Sequence, residues 1–159
     1  LVLAATGRLA SIFRGVNSYP HLLPDDIPES PDRISDADLA AAARPVLDAS
    51  YDRELQRLRE LFDRRAGQNR ATTDLADAAR AATFGTIDTL LVDIDSTLPG
   101  TVDEETGAVV LAQAASARTY GVIDEIAGRA LSSGARVLGV RRADIPGRGD
   151  LAAILRYAV

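Results

Sequence analysis

LeuAlaAlaIleLeuArgTyrAlaVal, residues 151–159, is the stretch on which the fold turns. Its apolar run suits a short helix or a last strand equally, because unbroken apolarity over so few residues carries no period. The elements before it are clearer. ArgValLeuGlyVal (136–140) reads as a strand, and ArgArgAlaAspIleProGlyArgGlyAsp (141–150) as a loop. Tyr120, Ile123, Ile126, Ala127, Ala130 and Leu131 form one helical stripe, ended by Gly134. ThrIleAspThrLeuLeuValAspIle (86–94) places apolar residues on both alternating faces, as a buried central strand does. Residues 101–111 read as strand–turn–strand, with the turn near Thr106 and Gly107.

Further upstream the pattern is helical. Leu47, Tyr51, Leu55, Leu58, Leu61 and Phe62 follow helical spacing, with Asp48, Arg53, Arg57 and Glu60 opposite. Arg64 and Arg65 fall in the last turn, where cations offset the unpaired carbonyls, and Gly67 stands where a left-handed capping residue is expected. Thr72 or Thr73 is expected to cap the next helix, which runs through Leu75, Ala78, Ala79 and Ala82 to Gly85. Ser35 and Asp38 have capping-box spacing, and Pro45 is expected to break or restart that helix. Residues 17–32 hold four of the seven prolines and read as loop or linker. Residues 1–4 read as a strand entered part-way. Leu9, Ile12, Phe13 and Val16 line one face of a following helix. With no methionine in the chain, a piece of a longer protein is expected. The order helix, helix, strand, hairpin, helix, strand, final element predicts an α/β class, a three-layer α/β/α sandwich.

Composition excludes several chemistries. The chain has 159 residues, enough for one domain and part of another. All 18 basic residues are arginine, so no lysine is available for a Schiff base, a Walker loop or general-base work. There is no cysteine, hence no disulfide, zinc-thiolate site or thiol nucleophile. A net charge of −5 argues against sequence-blind nucleic-acid binding while leaving room for a local basic patch. No apolar run is long enough to span a membrane, no signal peptide is visible, and a cytoplasmic location is expected.

One motif invites an enzymatic reading. The strand ending at Asp93 continues as Asp-x-Asp-x-Thr, with Asp95 and Thr97, and resembles the first motif of the haloacid dehalogenase phosphatases. In such an enzyme the first aspartate attacks phosphorus beside Mg²⁺ and the second handles the leaving-group proton. The customary lysine and a later acidic pair are absent, with only Asp144 and Asp150 downstream, so Asp93 and Asp95 are expected to end the strand and face water. His21, the single histidine, lies in the proline-rich segment without a triad arrangement, and Asp103, Glu104 and Glu105 cluster at the hairpin turn as solvated acids. Arg141, Arg142 and Arg148 make a basic loop that either meets RNA phosphates or balances nearby acids.

Several stretches carry a resemblance. They are residues 74–94, a helix, a glycine and then ThrIleAspThrLeuLeuVal; ProGlyThrValAspGluGluThrGly (99–107); GlyValIleAspGluIleAlaGlyArgAlaLeu (121–131); and AlaAlaIleLeuArgTyr (152–157). In this order they resemble the C-terminal domain of the archaeo-eukaryotic peptide-chain release factor and Pelota group, and more closely the bacterial proteins related to that group. The resemblance implies a closing strand from about Leu151, and the fold of the kink-turn-binding ribosomal proteins (release factor domain 3) over residues 46–159. Residues 1–45 would then be the end of a preceding, middle-like α/β domain plus a proline-rich linker. In RNA-binding relatives the loop before the corresponding helix reads Gly-x-Asn-Glu, then threonine and lysine. Gly67, Asn69 and Thr72 fit it, but Arg70 replaces the glutamate, and arginine can only donate hydrogen bonds. Gly67-Gln68 follows the long helix, so it is not the group's Gly-Gly-Gln release loop, which lies upstream of it.

The expectation is therefore a non-catalytic domain that docks onto the ribosome or a translation partner protein, with rRNA as a further candidate contact, in termination, rescue or hibernation. Gly67, Asn69, Arg70, Arg141, Arg142 and Arg148 are its candidate RNA- or partner-contact residues. No catalytic residue, metal, cofactor, small-molecule substrate or membrane is expected. The alternative is a Mg-dependent phosphohydrolase using Asp93 and Asp95.

Overall fold

The computed structural model describes residues 1–116 and 119–158, in two compact units, Leu1–Gln56 and Arg57–Val159. In the first unit β1 (Leu3–Ala4) pairs in parallel with β2 (Asp26–Ile27), joined through α1 (Gly7–Val16). The proline-rich segment thus holds a strand as well as loop. Arg14 ties α1 to that segment by donating to the Leu23 carbonyl at 3.0 Å and facing Asp26 at 3.8 Å. The apolar stripe of α1 forms as expected, yet Leu9, Ile12, Phe13 and Val16 are all exposed and only Ala10 is buried.

The long helix α2 (Asp36–Ala66) opens at Ser35, whose Oγ accepts the Asp38 amide at 3.2 Å and donates to the Asp38 carboxylate at 2.7 Å. This is a capping box in which the acid, too short to reach the Ser35 amide, grips the hydroxyl instead. Pro45 lies inside α2 and does not interrupt it. Its missing N–H removes one bond, to the Ala41 carbonyl, and the strong helix formers at 40–43 carry the helix through. Leu47 and Tyr51 are exposed, whereas Leu55, Leu58 and Phe62 are buried.

The second unit is built on a four-stranded mixed sheet, order β3-β9-β4-β8. Its strands are β3 (Ala71–Thr72), β4 (Ile87–Asp93), β8 (Arg136–Val140) and β9 (Leu151–Leu155). The ambiguous terminal stretch is a strand, antiparallel to both β3 and β4, and every residue of it is buried. Continuous apolarity is what a strand needs when both of its faces are covered. A bulge at Asp88 sets the pairing: Ile87 faces Leu155, while Thr89 already faces Ile154. The extra residue brings Ile87 onto the same face as Leu90, where both are fully buried.

That face packs on α3 (Leu75–Thr83) and α4 (Val122–Ser132), whose buried Ala78, Ala79, Ala82, Ile123, Ile126 and Ala130 form one core with it. The other face carries Leu91, Ala152 and Ile154, equally buried. The last turns of α2 supply the third layer, with Leu58 and Phe62 buried, and Arg59 ties them to the loop after β8 by donating to the Asp144 carboxylate at 2.9 Å. The expected α/β/α arrangement is what is observed. Tyr120 departs from its expected place in the helical stripe: it lies in a short strand before α4, and Leu131 is exposed.

The expected strand–turn–strand belongs to a second, three-stranded sheet, whose third strand was not foreseen. It consists of β5 (Pro99–Val102), β6 (Val109–Leu111) and β7 (Tyr120–Gly121), order β6-β5-β7. The expected hairpin turn is present. Gly107 has φ 72°, and a Cβ there would stand 2.7 Å from the Arg80 Cα, so the turn both needs a left-handed residue and presses against α3. Arg129 on α4 locks this layer down. It donates to Glu125 (2.8 Å), the Thr83 hydroxyl (2.7 Å), the Asp103 carbonyl (2.8 Å) and the Val102 carbonyl (2.9 Å), joining two helices and the hairpin through one planar group.

Candidate functional site

The candidate residues fall into two clusters, at opposite ends of β9. The first is the end of α2. There the Arg70 amide donates to the Arg65 carbonyl at 2.8 Å and the Asn69 amide to the Ala66 carbonyl at 3.1 Å. This six-to-one and five-to-two pairing is a Schellman motif, and its left-handed residue is Asn69, with φ 55°. The expected capping role of Gly67 therefore passes to Asn69, two residues on. A Cβ at Gly67 would make only ordinary contacts, 3.7 Å from the Arg64 carbonyl oxygen. The ends of α3 and α4 use the same motif with Gly85 (φ 66°) and Gly134 (φ 78°) in the left-handed place. Cap assignment also shifts at the start of α3, where the N-cap is Asp74, accepting the Asp77 amide at 2.9 Å, while Thr72 accepts the Asp74 amide at 3.0 Å. Arg70 is turned inward, donating to the Arg156 carbonyl just beyond β9, while its own carbonyl accepts the Leu155 amide at 2.9 Å. Gly67 and Asn69 are exposed, and Arg70 is partly buried.

The second cluster is the loop after β8. Asp93 is buried and does not face water, contrary to expectation. Its Oδ2 accepts from Arg142 Nε at 2.8 Å, and Arg142 Nη2 pairs with Asp150. Asp150 also accepts the Ser96 hydroxyl at 3.0 Å, and its carbonyl accepts the Asp93 amide at 2.9 Å. The hydrogen bond that Arg142 donates to Asp93, and then the Asp150 charge, push the Arg142 pKa above its ordinary value. A carboxylate bound to a fixed guanidinium in this way is a strand-end clamp, and its oxygen is not free to attack phosphorus. Asp95 is exposed. No group of three or more candidate metal ligands occurs among the described residues.

Arg141 and Arg148 are exposed. Arg148 follows a turn at Gly147 and itself has φ 54°. All three arginines of this loop are exposed, but Arg142 is ion-paired with Asp93 and Asp150, whereas Arg141 and Arg148 present their charge to solvent. The two clusters are separated by β9, roughly 16 Å of extended chain. Sequence reasoning had no local signal for the Arg142–Asp93 pair, whose members lie 49 residues apart. No helix among the described residues is long and apolar enough to cross a membrane.

This architecture has known counterparts. The C-terminal domain of a peptide chain release factor from Methanosarcina mazei is similar at TM-score 0.54 and 18% identity, over 80% of this chain and 98% of its own. A chain from a model of ribosome-bound archaeal Pelota and ABCE1 is similar at TM-score 0.57 and 20% identity, over 99% of this chain and 43% of its own. Archaeoglobus fulgidus Pelota is similar at TM-score 0.52 and 16% identity, over 100% of this chain and 49% of its own. The present chain thus spans less than half of either Pelota chain. The model for bacterial archaeo-eukaryotic release factor family 11 matches residues 1–53. No curated protein matches the sequence. The family match is confined to the first third of the chain, and the solved structures share its α/β fold.

Proposed function

We propose that this chain belongs to a translation factor and serves there as a non-catalytic docking domain for the ribosome or a protein partner. One observation carries the reading. Its fold matches nearly the whole length of a release factor's C-terminal domain, and its first third matches the model of a bacterial release-factor family. We further propose that residues 1–45 are the end of a preceding middle-like domain and linker, and residues 46–159 the docking domain. On this reading Arg141 and Arg148, as solvent-facing cations on one loop, are contact residues for rRNA phosphates or an acidic partner surface. Gly67 and Asn69 form a second exposed contact point, while Arg70 supports it from within. A cytoplasmic location follows from the same reading.

The phosphohydrolase alternative draws no support from the geometry, because Asp93 is buried and clamped by Arg142. Co-sedimentation of the full-length protein with ribosomes tests the docking reading. Arg142 is unsuited to that test because it also holds the fold. The double variant Arg141→Ala, Arg148→Ala is expected to weaken co-sedimentation while leaving the melting temperature unchanged. Failure of the wild-type protein to co-sediment under any salt condition would count against it.

A further inference from the structure

Phe84 caps the C-terminal end of α3 and is 65% exposed, although Ala78, Ala79, Ala81 and Ala82 of the same helix are buried. The ring stands at the join of two depressions. One is shared with Ala81, Thr86 and Tyr157, and Tyr157 is 68% exposed. The other runs between α3 and α4 past Glu104, Glu125, Gly128 and Ser132. The cations lining these depressions are already committed. Arg80 pairs with Asp77, and Arg129 is bound to Glu125, Thr83 and the hairpin carbonyls. Glu104 has no such partner among the described residues. The surface therefore sets two exposed aromatic rings beside an uncompensated carboxylate, over a floor of small residues.

We infer that this double depression docks a peptide segment of a partner protein in which a large apolar side chain neighbours an arginine or lysine. The apolar side chain seats between Phe84 and Tyr157, as buried anchors do in peptide grooves. The cation lies over Glu104, whose charge no neighbouring cation offsets, and against the face of Phe84. A nucleic acid is disfavoured, because its phosphates would meet the uncompensated Glu104 while Arg80 and Arg129 are already paired. The inference rests on the docking reading above and names the occupant.

Panning the protein against a displayed library of random short peptides, followed by fluorescence anisotropy on the enriched sequences, tests it. An apolar residue next to an arginine or lysine is the expected consensus. Phe84→Ala and Gly128→Leu are each expected to weaken binding about tenfold or more. Glu104→Arg should weaken the basic peptide and spare one whose cation is replaced by glutamine. Phe84 is exposed and a Cβ at Gly128 meets nothing within 4 Å, so these variants retain the fold, which thermal melting checks. Absence of an apolar–basic consensus, equal binding by all three variants, or displacement of the peptide by single-stranded RNA overturns the inference. Ribosome co-sedimentation of the same variants separates the two readings. Wild-type co-sedimentation without peptide selection leaves docking standing and removes the groove; peptide selection without co-sedimentation does the reverse for the ribosome.

Discussion

Arg142 donates through Nε to a buried oxygen of Asp93, 2.8 Å away, and so fixes the loop after β8 to the end of β4. Two adjacent arginines are thereby given different tasks. Arg142→Ala should lower the melting temperature, because it leaves a buried carboxylate without its cation. Arg141→Ala should leave it unchanged. Asp93→Ala should cost about 1–3 kcal/mol in urea unfolding, and Asp93→Asn less, since the amide oxygen still accepts. Equal melting of the two arginine variants would refute the clamp. Magnesium-dependent phosphatase activity lost in Asp93→Asn would restore the enzymatic alternative.

Arg129 is the second anchor, with its side chain only 15% exposed. Arg129→Met should destabilise by about 2–4 kcal/mol, chiefly by removing the charge-assisted hydrogen bonds that join α4 to Thr83 of α3 and to the hairpin carbonyls. Arg129→Lys should recover little of this, because an ammonium cannot reproduce the planar fork that reaches two helices and the hairpin. Urea unfolding of the three proteins side by side decides it, and full recovery by lysine would show that charge alone matters.

The end of α2 separates Gly67 from Asn69. Gly67→Ala should be neutral or stabilising by about 0.5–1 kcal/mol, because the position does not require a positive φ. Asn69→Val should destabilise by about 1–2 kcal/mol, because a branched side chain resists the left-handed conformation. Thermal melting of both variants checks this, and a marked loss in Gly67→Ala would return the cap to glycine.

The hairpin turn carries a pH signature. The Asp103 carboxylate accepts the Thr106 hydroxyl at 2.6 Å, its amide at 2.7 Å and the Glu105 amide at 3.2 Å. These bonds, led by Thr106, hold its pKa below the ordinary 3.8. A depressed carboxylate stabilises the fold above its unfolded pKa, and that contribution is lost as pH falls through the lowered value. Protection of the Thr106 amide from hydrogen exchange should therefore persist through pH 3.8 and fail below it. In Asp103→Ala it should be weak at every pH. A carbon-detected titration of Asp103 at or above 3.8 would contradict the turn's geometry.

The legibility of the fold varied with the range of the interaction. Helix α4 and strand β4 showed in the periodicity of Ile123, Ile126 and Ala130 and of Leu90 and Leu91, because burial writes itself into local spacing. Strand β9 showed no period, since both of its faces are buried, and only resemblance favoured a strand. β3 and β7, two residues each, are too short for any pattern. At the end of α2 the nearest glycine suggested the cap, but the chain continues two residues further and Asn69 takes the left-handed place. The burial of Asp93 was hidden because its partners Arg142 and Asp150 arrive from the far end of the unit.

The position of β9 has a consequence for biosynthesis. It is the latest strand of its sheet in sequence, yet it lies between β3 and β4. In a nascent chain that has emerged only through β8, β3 has no strand to pair with and one edge of β4 is left open. The sheet closes only when residue 155 clears the exit tunnel, so arrest of synthesis shortly before that point holds this unit open.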